Sequence, residues 1–381
     1  MKNKKEIQVL YIITQLERGG AQKVCLSLFK GMKSCGHNSF LISGDGPLEK
    51  EIESHENVFI LKSFQRDISL KKFLWLEIKN FLSLFFYIRK LKKQNPNLII
   101  HTHRVKAGMV GRWAAFFAGV KTRIHTIHGY PFHDYQNKIE WFFIYMLELI
   151  TSFITTHYVC VSSEDAKIGI KKIPKFSKKH SIIRAAVDWD QFYIPARQAP
   201  PFPERKKPFV FGTVACFKKQ KNLFDLFQAF EHAYNYNPNI RLEVVGDGHL
   251  RPAFEKWIQE HDLRKKIILH GWQEKVAPFM IEWNAFVLSS LWEGLPCAVV
   301  EARLLKLPVL SYKTGGIHDV IMNGENGYLY KQGNWKELSN GMLAVSENQY
   351  LYKKLQTYNE DLSDFNDHQM ALQHIKLYRS L

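Results

Sequence analysis

The chemistry-bearing residues of this chain fall into three groups. Trp292-Glu293-Gly294-Leu295-Pro296-Cys297-Ala298-Val299-Val300-Glu301 follows an apolar run and leads into a helix, with Pro296 suited to the first turn. Glu293 falls in the loop and Glu301 about a turn and a half inside the helix, so both can face the carboxyl edge of a sheet. Carboxylates in those places accept hydrogen bonds from vicinal hydroxyls, one pair on a sugar and one on a ribose. The amides of Cys297 and Ala298 could meet phosphate between them. The competing reading is a solvated loop acid and a mid-helix surface charge, but the residues around Glu301 are apolar. In the second group, Lys218, Lys219 and Lys221 come where the run Phe209–Ala215 ends, and could neutralise a diphosphate leaving group or form a solvated basic loop. The third is Gly19-Gly20, between the first strand and the first helix. It reads as the approach of a phosphate or sugar to a helix N-terminus, or as a tight turn needing φ > 0 or close packing. It is not GxGxxG, and no acid follows a second strand at the dinucleotide-binding spacing.

The elements that must hold these groups alternate between strand and helix, twice over. Apolar, β-branched runs predict strands at Ile7–Ile13, Ser39–Ser43, Val58–Leu61, Leu98–Thr102, Arg123–His128 and Tyr158–Ser162. Helices are predicted at Ala21–Lys33, Leu70–Lys93, Ala107–Ala118 and about Ile139–Ile154. The pattern stops in the proline-rich stretch 194–208, read as a linker. It restarts with strands at Phe209–Ala215, Arg241–Val245, Lys266–Leu269, Ala285–Ser289 and Pro308–Tyr312, each followed by a helical segment. The expected fold class is therefore α/β, two doubly wound parallel-sheet domains that face across a cleft. Residues 1–193 form the first, 209–365 the second, and 366–381 a helix packing back toward the first.

Composition narrows the function. The 381 residues carry 53 Lys+Arg against 36 Asp+Glu, a formal charge of +17, and a hydrophobic fraction of 46% that excludes wholesale disorder. Cys25, Cys35, Cys160, Cys216 and Cys297 show no CxxC spacing, which excludes a cysteine zinc site and a disulfide scaffold and fits a reducing compartment. Cys160, Cys216 and Cys297 read as small core residues. The N-terminal MKNKKEIQVLYIIT reads as a strand rather than a signal peptide, and no apolar stretch is long enough to span a membrane. The basic excess points to a polyanion: nucleic acid, an anionic membrane or a phosphorylated small molecule. Phe81, Leu82, Phe85 and Ile88 recur at helical spacing beside Arg89, Lys90, Lys92 and Lys93. That helix either packs on the sheet or lies on anionic lipid.

The ordered series of segments resembles the GT-B glycosyltransferases of family 4, a retaining group that uses sugar nucleotides. QLERGGAQKV and RIHTIHGY match its N-terminal blocks; RLEVVGDGHLR, IILHGW, AFVLSSLWEGLP and LSYKTGGIHDVI match its C-terminal ones. The Glu293…Glu301 pair has the family's E-x7-E spacing. The resemblance spans residues 7–331. It implies that Glu301 holds the nucleotide ribose, Glu293 the donor sugar's hydroxyls, and the Gly294, Leu295, Pro296, Cys297 and Ala298 segment the sugar and phosphate. Lys221 is the family's diphosphate lysine by this resemblance, His128 sits by the anomeric centre, and Gly19 and Gly20 border the donor phosphates and acceptor. The chain departs at Cys216, where family members carry arginine, and Lys218 or Lys219 is the substitute.

His101, His103, His125, His128 and His133 raise a metal reading. No cysteine or carboxylate completes a ligand set, and the family needs no metal, so no metal or other cofactor is expected. Asp188-Trp189-Asp190, though it imitates a metal-binding D-x-D, reads as structural. The expectation is a retaining hexosyl- or N-acetylhexosaminyltransferase with a UDP- or GDP-sugar donor. A polyprenyl-linked or other glycan precursor is the acceptor, and the enzyme is cytoplasmic, peripheral on the inner face of the membrane. A GT-B epimerase or phosphorylase is the nearer alternative. A basic nucleic-acid-binding protein is the remoter one, since it leaves Glu293 and Glu301 without a task, and no nucleic acid is expected.

Overall fold

The computed structural model describes residues 6–52, 54, 56–65, 70–132, 135–198 and 208–381, excepting the side chains of 70–74 and 194–198. His133, the N-terminal lysines Lys2, Lys4 and Lys5, and residues 199–207 of the expected linker lie outside the described residues; helix Trp189–Gln198 takes up 194–198. Two compact units result. The first runs to Val187 and takes in Ser363–Leu381; the second is Asp188–Leu362.

The first unit is built on seven strands: β1 (Gln8–Gln15), β2 (Asn38–Gly44), β3 (Val58–Ile60), β4 (Ile99–His103), β5 (Thr122–Ile127), β6 (His157–Cys160) and β7 (His180–Ile182). All pair in parallel, in the order β3-β2-β1-β4-β5-β6-β7. The centre of β1, Val9–Ile13, is buried throughout, as a parallel strand covered on both faces must be. Register places Tyr11 opposite His101, and Thr102 opposite both Ile12 and His125. Alternation along β4 therefore sends His101 and His103 to one face and Thr102 to the other. On the first face lie helices Gly20–Ser34 and Asp367–Ser380, so close that a Cβ on Gly31 would come 2.9 Å from that of Ala371. Helices Leu70–Gln94, Val105–Phe117 and Lys138–Ser152 cover the second. There Arg112 and Glu148 form a buried ion pair at 2.8 Å, and Thr155 and Tyr158 take part in the same hydrogen-bonded group. A buried pair of this kind needs such additional partners to offset its desolvation.

The second unit has six parallel strands: β8 (Phe209–Val214), β9 (Ile240–Val245), β10 (Ile267–Gly271), β11 (Ala285–Leu288), β12 (Val309–Tyr312) and β13 (Gly327–Tyr330). Their order is β10-β9-β8-β11-β12-β13. Gly212 in β8 is required by packing: a Cβ there would meet the buried Trp283 indole within 1.9 Å. The sheets thus have a common plan. In each, the order reverses beside the first strand, between β1 and β4 in one and between β8 and β11 in the other. Ligands in open α/β sheets bind outside the carboxyl ends of strands at such a reversal.

Two elements differ from the sequence reading. β7 and β13 are short edge strands that the apolar runs do not announce. Helix Leu70–Gln94 packs one side on the sheet, with Leu84, Ile88 and Leu91 in the core, while Trp75, Ile78, Leu82 and Phe86 on its other side are exposed.

Candidate functional site

In the second unit the reversal brings together two segments far apart in sequence. The loop after β8 carries Lys218–Lys221, and the loop after the adjacent β11 carries Glu293. Their meeting is direct: Lys221 Nζ donates to Glu293 Oε1 at 2.5 Å, both side chains mostly buried. Burial alone would lower the Lys221 ammonium, but the charge of Glu293 and the hydrogen bond to it outweigh that effect and the pKa is raised. Gln220 Nε2 donates to the Trp292 carbonyl at 2.7 Å and reaches Glu293 Oε2 at 3.4 Å. Backbone ties complete the clasp, Leu291 N to Gln220 O at 2.8 Å and Ser289 Oγ to Lys221 O at 2.9 Å. The Lys221 turn passes through Asn222 at φ +47, which a short amide side chain tolerates.

The other expected residues lie close along the same loop and helix. Pro296 caps helix Cys297–Leu304 in extended backbone, and Leu295 is buried. Glu301 is 9% exposed, one turn inside that helix and engaged by neighbours. Lys218 is half-buried and Lys219 exposed; among the described residues neither forms an ion pair. Cys216 and Cys297 are half-buried at the two loops rather than in the core, because strand and helix end just before them and start just at them; Cys160 alone of the three is fully buried. The burial of Cys160 raises its thiol pKa.

A third loop joins from β12. Gly315, at φ +47, lies on the backbone of Glu293 and Gly294, where an added Cβ would come within 2.2 Å of the Glu293 carbonyl oxygen. Gly316 N donates to Gly294 O at 2.6 Å. Neighbouring Thr314 and Ser290 are buried, with hydroxyls that have no hydrogen-bond partner among the described residues. The sequence reading missed Gln220, Ser290, Thr314 and Gly315 as parts of this site. The Thr-Gly-Gly after an apolar strand was the available signal for two of them, a glycine turn at a carboxyl edge.

In the first unit the corresponding edge holds a cluster of imidazole and phenol rings. His103 Nδ1 and His128 Nε2 are 3.0 Å apart, and one of them donates to the other. His101 joins Tyr378 through Nδ1 and Thr126 through Nε2, both at 2.6 Å, and Tyr378 meets Tyr11 at 3.1 Å. His125, on the opposite face of the sheet, bonds Thr102 at 2.9 Å. Burial first, then the neighbouring Arg104 and His374 charges, push the His128 imidazole down to about 3. Burial lowers His374 to about 4, and lowers His101, His103 and His125 well below their ordinary value. These are neutral hydrogen-bonding groups at neutral pH. Among the described residues no three His, Cys, Asp or Glu side chains are grouped to hold a metal. Gly129, at φ +89, turns the chain behind His128. Gly19 differs from one expectation: its backbone is extended (φ −160), and what a Cβ would meet is the Gln22 side-chain oxygen at 2.7 Å. Gly20 opens the helix. Asp188 caps helix Trp189–Gln198 through the amide of Gln191 at 3.3 Å, and Asp190 lies in its first turn.

Doubly wound sheets with charged groups at a strand reversal define a class of proteins that bind ligands outside the carboxyl ends of their strands. Comparison with known proteins gives the particulars. Residues 18–191 match the family model described as Glycosyltransferase Family 4, and residues 196–361 match that described as Glycosyl transferases group 1. The chain belongs to the family 4 GT-B glycosyltransferases and is a glycosyltransferase. An Escherichia coli relative, UDP-Gal:alpha-D-GlcNAc-diphosphoundecaprenol alpha-1,3-galactosyltransferase, is 29% identical over 355 residues, 91% of this chain and 89% of that one. The capsular polysaccharide biosynthesis glycosyltransferase CapM of Staphylococcus aureus is 25% identical over 78% of each chain. The crystal structure of Anabaena HepE in complex with UDP and glucose superposes with a TM-score of 0.79 at 17% identity, over 99% of this chain and 100% of that one. Among the described residues no helix is long and apolar enough to cross a membrane.

Proposed function

We propose that this enzyme transfers a hexose from a UDP-sugar to a hydroxyl of a polyprenyl-diphosphate-linked saccharide, with retention at the anomeric carbon, at the inner face of the cell membrane. The observation that carries the reading is the Lys221–Glu293 pair at the β8/β11 reversal, in the loop that leads into the helix of Glu301. The relative from E. coli supports the lipid-linked acceptor, and the UDP in the HepE crystal favours uridine over guanosine.

Glu301 accepts from the ribose hydroxyls and Glu293 from the donor sugar. Lys221, with Lys218 standing in for the arginine replaced by Cys216, takes up the negative charge that grows on the departing diphosphate. No metal is assigned to that task. The Gly294–Ala298 segment lines the sugar and phosphate, and Gly19 and Gly20 are assigned to the phosphate and acceptor side. Glu293 is already held by Lys221 and Gln220, so it serves as an acceptor of hydroxyl hydrogen bonds rather than as a nucleophile. Same-face attack by the acceptor hydroxyl, through an oxocarbenium-like state, follows. His128 is neutral and bonded through one nitrogen to His103, which suits it to orient a sugar hydroxyl without adding charge near a developing cation.

A thermal-shift screen with UDP-, GDP- and ADP-sugars, followed by NMR of the product linkage, tests this. A UDP-sugar raises the melting temperature, since a ligand that binds only the folded state stabilises it, and an axial linkage forms from an axial donor. Stabilisation by GDP-sugars alone, or an altered sugar released without any acceptor, overturns the reading.

A further inference from the structure

The three helices on the outer face of the first sheet expose a broad apolar surface that no described residue of the first unit covers. On helix Leu70–Gln94, Trp75, Ile78, Leu82 and Phe86 form one stripe at helical spacing, Trp75 being 72% exposed. On helix Lys138–Ser152, Ile139, Phe142, Phe143, Leu147 and Ile150 do the same, and Phe153 follows at 75%. Phe116 and Phe117, at the end of helix Val105–Phe117, lie between the two stripes. The Phe117 ring packs on Phe81 of the first helix at 6.1 Å and on Trp113, whose indole N–H bonds Thr151 of the last. The three helices are thus side by side, each with its opposite side turned to the sheet, and their exposed faces make one surface. Scattered exposed apolar residues need no explanation; a contiguous aromatic surface of this extent marks an interaction site.

Its border is basic. Lys79 lies over the Trp75 ring at 5.8 Å, Arg89 over Phe85 at 5.8 Å, Arg123 over Phe116 at 5.4 Å and Lys172 over Trp141 at 4.8 Å. Lys90 and Lys93 extend the border along the first helix. The acids of the three helices are Glu77, Glu140 and Glu148. Glu77 is paired with Lys106 and Glu148 with Arg112, which leaves Glu140 as the exposed one. Aromatic rings at the centre and cations on long stems at the edge are the arrangement by which a folded surface seats in an anionic lipid interface.

We propose that this three-helix surface docks the enzyme on an anionic lipid bilayer, the aromatic side chains entering the headgroup–acyl boundary and the lysines and arginines meeting lipid phosphates. The inference rests on the lipid-linked acceptor proposed above and names the surface that meets its membrane. Helix Lys138–Ser152 follows the His128–Gly129 turn directly in sequence, so the docked helix and the site histidine belong to one connection of the first unit.

Co-sedimentation of the full chain, without donor or acceptor, with vesicles of about one third phosphatidylglycerol in phosphatidylcholine tests the surface itself. The wild-type chain is expected to bind, and to release as salt is raised. The triple variant Trp75→Ser, Phe142→Ser, Phe143→Ser loses about tenfold or more in partitioning while melting at the wild-type temperature, these side chains being exposed. The variant Lys90→Glu, Lys93→Glu loses binding to anionic vesicles in the same assay. Transfer to an acceptor on a short, water-soluble chain stays at the wild-type rate in both variants, whereas transfer to acceptor embedded in vesicles falls. Wild-type protein that ignores the vesicles, triple-variant protein that binds them equally well, or a wild-type dimer that becomes monomeric in the triple variant overturns the proposal. Failure of transfer to the soluble acceptor, with vesicle binding intact, instead overturns the assigned reaction.

Discussion

The carboxyl edges of the two sheets share a topology and differ in their electrostatics. At the β8/β11 reversal the central groups are charged: an ammonium and a carboxylate hold each other at 2.5 Å, in the loop that leads into the helix of Glu301. At the β1/β4 reversal a cluster of imidazoles and phenols is kept neutral by burial and bonded internally. The reversal provides a place where loops from adjacent strands meet, and the residues set there decide whether it suits an anion or a neutral hydroxyl.

Four experiments break or sharpen that contrast. His128→Ala is expected to lower kcat by roughly 10²–10³-fold, of the order seen on removing one hydrogen-bond donor from a reacting group, with UDP affinity unchanged. Equal losses in turnover and UDP affinity would erase the division of labour between the two edges. Acid should unfold the first edge selectively. Its histidines stay neutral when folded, whereas the unfolded chain takes up protons below about pH 6.5. Stability is therefore intact above that value and falls as the pH drops toward the folded values. For His374, lowered to about 4, the loss by that pH is about 3 kcal/mol. Denaturant titrations of wild type and His374→Asn at pH 7 and at pH 4 should differ by that amount in the stability lost between the two, and equal losses would disprove it.

Glu301→Ala should weaken UDP binding by ~1.5–3 kcal/mol if its hydrogen bonds to hydroxyls are charge-assisted. Isothermal titration measures this, and unaltered affinity removes Glu301 from the site. The smallest effect belongs to Lys221→Met in the ligand-free protein, about 1–2 kcal/mol, because the Glu293 carboxylate it leaves behind is only partly accessible to water. Adding Glu293→Gln should recover part of that stability, and a double variant no better than the single would show that the pair is not what the lysine stabilises.

Much of the frame was legible. Val9–Ile13 and Phe209–Val214 are runs that only a twice-covered strand needs, and the predicted helix Leu70–Lys93 ends within a residue of the observed one. Glu293 and Glu301 were visible as acids placed where a loop enters a helix. The pairing of Glu293 with Lys221 was not. Lys221 and Glu293 are 72 residues apart and become neighbours only because β11 returns to lie against β8. The histidine cluster hid half of itself for the same reason, since His374 and Tyr378 arrive on a helix more than 270 residues beyond His101. Edge strands β7 and β13 are too short for periodicity to register. The outward apolar side of helix Lys138–Ser152 could not be told from a core side, because hydrophobic spacing identifies a face without saying what it faces.

The return of helix Asp367–Ser380 to the first unit has a consequence for biosynthesis. A ribosome completes every residue of Asp188–Leu362 before it reaches Tyr378, so the second unit is free to fold while the first still lacks the partner of Tyr11 and His101. The order in which the units are completed thus runs against their order in the sequence, and a nascent chain arrested in between carries an open seam beside Cys25 and Ala371's empty berth on Gly31.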